Sequence, residues 1–255
     1  MISINKSLVK KQFNSGLNTY NKEAVVQKKI AQRLISAIIS KGLDNHSRLF
    51  EVGCGTGFLT KMVMDTFNLD EYMANDITST AKLKIQELNT NYNKQIDFLE
   101  GDAEEIDFPE NLNTIISSST IQWLKNKQVF FKKVHQSLQA NGVFAFSTFG
   151  CENFKEIKNL TGVGLEYECL CELTEMLSGQ FNILMSEEWV EAKEFDSPIN
   201  VLRHIKQTGV NAIQQNYFGK QQLNDLIKGY HKQFSTITGG VSLTYNPIII
   251  IAQKK

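Results

Sequence analysis

Five short apolar, β-branched runs, each followed by a stretch long enough for a helix, constrain this chain more than any other feature. The runs are RLFEVG (48–53), EYMANDI (71–77), QIDFLEGD (95–102), NTIISSST (113–120) and GVFAFSTF (142–149), and the stretches between them include 57–68, 79–91 and 125–138. Short apolar runs of this kind read as strands buried on both faces, and their alternation with helices reads as parallel strands joined by right-handed crossovers. The expected fold is α/β: a doubly wound, mostly parallel sheet with a ligand site off the carboxyl ends of its strands.

Two later segments, 183–195 and 242–253, read as further strands and bring the expected sheet to seven. About 45 residues separate them, including INVLRHIKQTGV and QQLNDLIKGYHKQF, which read as two amphipathic helices. Neighbouring strands need only a hairpin, so an insertion of this size suggests a lid or a substrate pocket. Ahead of the first strand, Val26, Ile30, Leu34 and Ile38 recur every four residues and predict an amphipathic helix over 22–41, ended near Gly42.

Composition excludes several classes. With 255 residues, 42% of them hydrophobic, the chain can bury a core without metal or disulfide staples. Its 27 Lys and Arg balance 27 Asp and Glu, which argues against a nonspecific binder of nucleic acid. No apolar run reaches membrane-spanning length and the N-terminus lacks the pattern of a signal peptide, so no membrane partner and a cytoplasmic location are expected. The four cysteines (54, 151, 169, 171) form no disulfide-like framework. The four histidines (46, 135, 204, 231) lack ligand spacing, and no metal is expected.

The sharpest local motif is EVGCGTGF (51–58), which closes the first strand and opens a helix. Gly53, Gly55 and Gly57 allow a tight turn and close approach of a ligand. Asp76 ends the second strand, where a carboxylate can accept both hydroxyls of a ribose, and Asp102 ends the third, where it can accept an adenine amino proton. The loop reads G-x-G-x-G, unlike the G-x-G-x-x-G suited to a dinucleotide pyrophosphate, and no G-x-x-x-x-G-K-[ST] is present.

This loop with Asp76, Gly-Asp-Ala at 101–103, the polar SSST strand end and LQANGVFAF resembles the Rossmann-like class I S-adenosylmethionine-dependent methyltransferases. The resemblance implies cofactor-binding roles for Glu51, Gly53 and Gly55 at the methionine end, Asp76 and Ile77 at the ribose, Asp102 and Ala103 at the adenine, and Ser118 beside the methionine group. A closer resemblance, to the malonyl-acyl-carrier-protein O-methyltransferase family of biotin synthesis, is carried by Phe13, Tyr20 and Gln27, Ile121-Gln122-Trp123, FSTFG (146–150), Ile205-Lys206 through Gly209, and Leu243-Thr244-Tyr245. Region 151–195 carries no motif of that family beyond its opening residues. The chain is accordingly read as one S-adenosylmethionine-dependent methyltransferase domain over 1–255, with an N-terminal helical segment (1–47), a cofactor-binding core (48–150) and a lid insertion at about 196–240.

The implied reaction needs little catalytic machinery. A malonyl thioester presents a free carboxylate with a pKa of roughly 4, already nucleophilic at neutral pH. Alignment and exclusion of water then supply about 7 kcal/mol or more. Arg203 and Lys206 are spaced i, i+3 on the segment that the resemblance places in the lid, and one of them is expected to orient that carboxylate, with Tyr245 also on the substrate side. Tyr20 and Trp123 are positioning candidates, since an aromatic face attracts a sulfonium. The family implies acyl-carrier protein as the partner, with coenzyme A as the other thioester carrier, and an acidic carrier would suit a rim including Lys132, Lys133, Lys228 and Lys232. Two alternatives stay open: a methyltransferase for another small acid or amine, and a non-catalytic methyltransferase-like subunit that binds a partner. The absence of N/D-P-P-Y/W at the fourth strand argues against methylation of a base or amide nitrogen.

Overall fold

The computed structural model describes residues 4–43, 45–208 and 219–255, apart from the side chains of residues 15–22. The five expected strands form, with a helix after each but the third: residues 101–111 lead from the third strand to the fourth through turns, so the expected βα repeat is broken there. Strands β1 (Arg48–Val52), β2 (Glu71–Asp76), β3 (Ile96–Glu100), β4 (Leu112–Ser118) and β5 (Leu138–Phe149) run parallel in the order β3-β2-β1-β4-β5. Beyond them β6 (Phe181–Glu188) takes the edge, and β9 (Pro247–Lys254) inserts antiparallel between β5 and β6 to complete seven strands. The strand order turns at β1 and β4, where the connections diverge and a crevice opens at the carboxyl ends.

Alternation along each strand builds a core on each face. Leu49, Ile116, Ala145, Ile249 and Ile251 point to one side, against α2 (Val25–Ser40), α3 (Phe58–Thr66) and α4 (Ser79–Tyr92). Phe50, Ile115, Phe144, Phe146, Ile248 and Ile250 point to the other, against α5 (Lys127–Ser137) and α7 (Leu170–Ser178). These side chains are almost fully buried, and each leucine, isoleucine and phenylalanine contributes roughly 1.5–3 kcal/mol by leaving water. The predicted helix over 22–41 is α2, whose Val26, Ile30, Leu34 and Ile38 are all buried. The N-terminal segment folds as α1 (Lys6–Glu23).

The two late strands each break in two. The chain that leaves β6 resumes as β7 (Glu191–Phe195), and β9 is preceded by β8 (Val241–Tyr245). Together β7 and β8 form a separate antiparallel ribbon. Asn246 makes the break: its carbonyl accepts from Gly150 N (2.7 Å), and its Oδ1 accepts from Glu152 N (3.0 Å). Its Nδ2 donates to Glu188 Oε1 and Trp189 O (3.1 Å each). The backbone carbonyl of Asn246, and its N–H, which donates to Asn153 Oδ1 at 3.2 Å, are therefore committed to the loop after β5, and Pro247 adds no donor. The ribbon carries α8 (Pro198–Gln207) and α9 (Lys220–Phe234) on a third cluster in which Val201, Tyr230, Val241, Leu243 and Tyr245 meet Ile30 of α2 and Phe154, just before α6 (Lys155–Thr161).

The cysteines require a correction: Cys169 and Cys171 are joined by a disulfide at the start of α7. The extended backbone of Cys169, which caps the helix, turns the chain so that the two Cα atoms stand 5.4 Å apart, within disulfide reach. Among the described residues no helix is long and apolar enough to cross a membrane, and no cluster of three or more His, Cys, Asp or Glu is arranged to hold a metal ion.

Candidate functional site

The crevice at the carboxyl ends of β1 to β4 holds a cavity roofed by α1 and α2. Its floor is the glycine loop. Gly53 N and Cys54 N both donate to Asn75 O (2.8 and 2.9 Å), which fastens the loop to the end of β2. Gly53 has φ +75°, and a Cβ there would stand 2.2 Å from Thr120 Oγ1, so this glycine admits the chain's own threonine. Gly55, at φ +51°, has nothing within 4 Å of its missing side chain and leaves the open space in the floor.

Two acids stand at neighbouring strand ends. Asp76 Oδ2 accepts from Gly55 N (2.9 Å), while Oδ1 accepts from Thr78 N (2.8 Å) and Thr78 Oγ1 (2.6 Å). Three of the roughly four lone-pair directions of the carboxylate are thereby used, and one remains for a ligand. Burial pushes its pKa up, against the pull of those bonds. Asp102 Oδ1 accepts from Glu104 N (3.1 Å) and from Lys6 Nζ (3.0 Å), and the same ammonium reaches Glu104 Oε2 at 2.7 Å. Burial opposes the ionisation of Glu104, but bonds from Lys125 N, Lys6 and Asn126 N outweigh it and hold the carboxyl below its usual range. The sequence singled out the acids but not Lys6, whose local pattern is that of any solvated helical lysine.

At the end of β4, Ser118 Oγ meets Ser147 Oγ at 2.9 Å. Trp123 follows in a short 3₁₀ turn, 6% exposed, with Phe13 of α1 set edge-on against it at 5.8 Å between centroids. Cys54 lines the cavity, and burial pushes its thiol well up, so it stays neutral.

Most residues singled out from sequence therefore meet in one place. Gly53 and Gly55 from the loop, Asp76 and Ile77 after β2, Asp102 and Ala103 after β3, and Ser118 and Trp123 around the end of β4 all line this cavity. Glu51 does not. It lies behind the loop, accepting from Tyr72 OH (2.6 Å) and Thr60 Oγ1 (2.7 Å), with its pKa pushed up to about 7 by burial. The side chain of Tyr20 and the whole of Gly209 fall outside the described residues.

Arg203 and Lys206 lie on the exposed face of α8, away from the cavity wall; Arg203 Nη1 donates to Asn200 Oδ1 at 2.7 Å. The amphipathic helix turns Val201, His204 and Ile205 inward instead. His204 Nε2 is 2.6 Å from Tyr245 OH, and its Nδ1 is 3.5 Å from Glu23 Oε2; burial, then the charge of Lys193, lowers its pKa. Tyr245 is fully buried beside Phe154 and is not in the cavity wall. Lys133, expected on a basic rim, is tied down by bonds to Ala103 O (3.1 Å) and Glu104 O (3.4 Å), whereas Lys132, Lys228 and Lys232 are exposed.

A doubly wound sheet of this order, with a glycine loop and two strand-end acids around one cavity, defines the methyltransferase class, and residues 50–146 match the family model described as "Methyltransferase domain". The YcgJ protein of Bacillus subtilis shares the fold at a TM-score of 0.65 and 16% identity, over 87% of this chain and 97% of that one. Sequence relatives narrow the class. The malonyl-[acyl-carrier protein] O-methyltransferase of Bacteroides thetaiotaomicron is 38% identical over 99% of each chain. The protein of that name from Bacteroides fragilis is 39% identical over 98% of this chain, which spans 51% of the length of that relative. The chain belongs to the malonyl-[acyl-carrier protein] O-methyltransferase family.

Proposed function

We propose that this protein transfers a methyl group from S-adenosylmethionine to the free carboxylate of a malonyl thioester carried on acyl-carrier protein. The observation that carries the reading is full-length similarity to the Bacteroides thetaiotaomicron enzyme, in a chain whose cavity suits such a donor. The fit rests on three features: open space over Gly55, one free acceptor direction on Asp76, and Asp102 at the next strand end. When bound, the cofactor supplies an electrophilic methyl on a sulfonium.

The chain's own part is to bind, orient and dry the reactants. Asp76 receives one ribose hydroxyl at its free acceptor direction, Ile77 packs beside it, and Asp102 and Ala103 receive the adenine. Gly53, Gly55 and Ser118 line the methionine end, with Glu51 bracing the loop from behind. Trp123, backed by Phe13, turns an aromatic wall to the cavity, suited to a cation. Cys54 is a neutral thiol and no general base is required, because the malonyl carboxylate is ionised at neutral pH. Holding the reactants together and expelling water supplies about 7 kcal/mol or more of the barrier. No metal enters this scheme. Arg203 and Lys206, with the exposed Lys132, Lys228 and Lys232, are better suited to meet an acidic carrier than to reach the carboxylate inside.

The experiment is methyl transfer from labelled S-adenosylmethionine to malonyl-acyl-carrier protein, malonyl-coenzyme A and free malonate side by side. The expected result is a base-labile methyl ester on the malonyl thioesters, fastest on the carrier protein. No label on either thioester would overturn the reading.

A further inference from the structure

A buried polar group with no partner costs on the order of 1–3 kcal/mol, and native chains keep few of them. Two face this cavity. Gln27 on α2 is 7% exposed and lines the cavity, yet its Oε1 is buried without a hydrogen-bond partner. Ser119, directly after β4, lines the same cavity, and its Oγ is likewise buried and unpartnered.

Ser119 is also strained. Its φ of +53° lies in the left-handed region, which costs a residue with a side chain about 1 kcal/mol or more. Its N–H donates to Ser147 O at 3.0 Å, and its carbonyl accepts from Gln122 Nε2 at 2.6 Å. The Gln122 amide is fixed in turn by Thr148 Oγ1, which donates to Gln122 Oε1 at 3.2 Å. With the backbone held on both sides, the hydroxyl is the group left for a ligand.

Position along the sheet decides which part of the ligand these groups meet. The order β3-β2-β1-β4 sets Asp102, Asp76, Gly53 and Ser119 at successive strand ends. Three spacings separate the first from the last, about 14 Å. A donor whose nucleoside lies at β3 and β2 extends its other end over β1 and β4, beneath Gln27. In S-adenosylmethionine that end is an amino acid, with an ammonium that donates and a carboxylate that accepts. A malonyl carboxylate offers acceptors alone and would leave Gln27 Oε1 unsatisfied.

We infer that Gln27 Oε1 accepts from the α-ammonium and Ser119 Oγ donates to the α-carboxylate of the methyl donor, so that these two residues select for its amino-acid end. This rests on the methyl-donor reading above. The test is calorimetric binding of two ligands to the full chain: S-adenosylhomocysteine, which carries the amino-acid end, and 5′-methylthioadenosine, which lacks it. Gln27→Met and Ser119→Ala each weaken S-adenosylhomocysteine by about 10- to 100-fold, the range for lost hydrogen bonds to charged groups, and leave 5′-methylthioadenosine within about twofold. Unchanged affinity for S-adenosylhomocysteine would overturn the inference, as would equal losses for both ligands, the sign of a distorted cavity. If the wild-type chain binds neither ligand, the methyl-donor reading itself fails and this inference falls with it.

Discussion

Glu51 illustrates how a residue in a binding motif can act without touching the cavity. Its carboxyl is fully buried with Tyr72 and Thr60, and its pKa is pushed from an ordinary 4.5 to about 7. A group that holds its proton more tightly when folded gives its full stability below the unfolded pKa and loses it as pH rises through the folded one. The loss from Glu51 runs from about pH 4.5 to 7 and amounts to on the order of 3 kcal/mol. Glu51→Gln keeps both oxygen and hydrogen-bond geometry but cannot ionise. Urea melts should find the variant close to the wild type at pH 5 and more stable at pH 8; equal stabilities at both would mean that Glu51 titrates normally. The motif advertised Glu51, Gly53 and Gly55 as equals, whereas Glu51 braces the loop, Gly53 makes room for Thr120 and Gly55 opens the floor. Spacing in sequence shows which residues share a turn, not which way each side chain leaves it.

At the scale of elements, α1 is fastened across the cavity at several points along its length. Lys6 bridges Asp102 and Glu104, Lys10 reaches Glu100 at 3.4 Å, Val9 and Phe13 pack on Trp123, and Glu23 stands beside His204. The apolar contacts hold the middle of the helix, and the ion pairs fix its first turns. Lys6→Met removes a partly exposed bridge, so a cost of about 1 kcal/mol is expected. Hydrogen exchange over residues 4–14 should quicken by about fivefold, and high salt should narrow the difference. Exchange rates that do not change would assign the whole attachment to Val9 and Phe13. The helix over 22–41 and the five buried strands were foreseeable from sequence, because each follows from a local pattern of hydrophobicity. The docking of α1 was not, because a lysine 96 positions from its aspartate leaves no pattern to read.

Across the whole molecule, Asn246 joins the seven-stranded sheet to the β7–β8 ribbon. It ties the loop after β5 to the point where β6 gives way to β7 and β8 to β9. Asn246→Ala forfeits three side-chain bonds at about 1 kcal/mol each and takes from the Glu152 N–H its acceptor and from Glu188 Oε1 and Trp189 O their donor. A loss of about 3 kcal/mol in denaturant melts is expected, with the β7–β8 ribbon the first region to lose exchange protection; uniform protection would show that the ribbon is held by its apolar cluster alone. Periodicity could not foresee this joint, since Leu243, Tyr245 and Ile248 are apolar whether or not the strand breaks between them. By itself the sequence determined the alternating sheet, the glycine loop and the acids at two strand ends, because all of these depend on short-range spacing and on which face a residue takes. The tertiary structure alone decided that Lys6 meets Asp102, that Arg203 and Lys206 face solvent while His204 turns inward, and that Gln27 and Ser119 share a cavity. Those relations join residues far apart in the chain, and only packing and the satisfaction of buried polar groups bring them together.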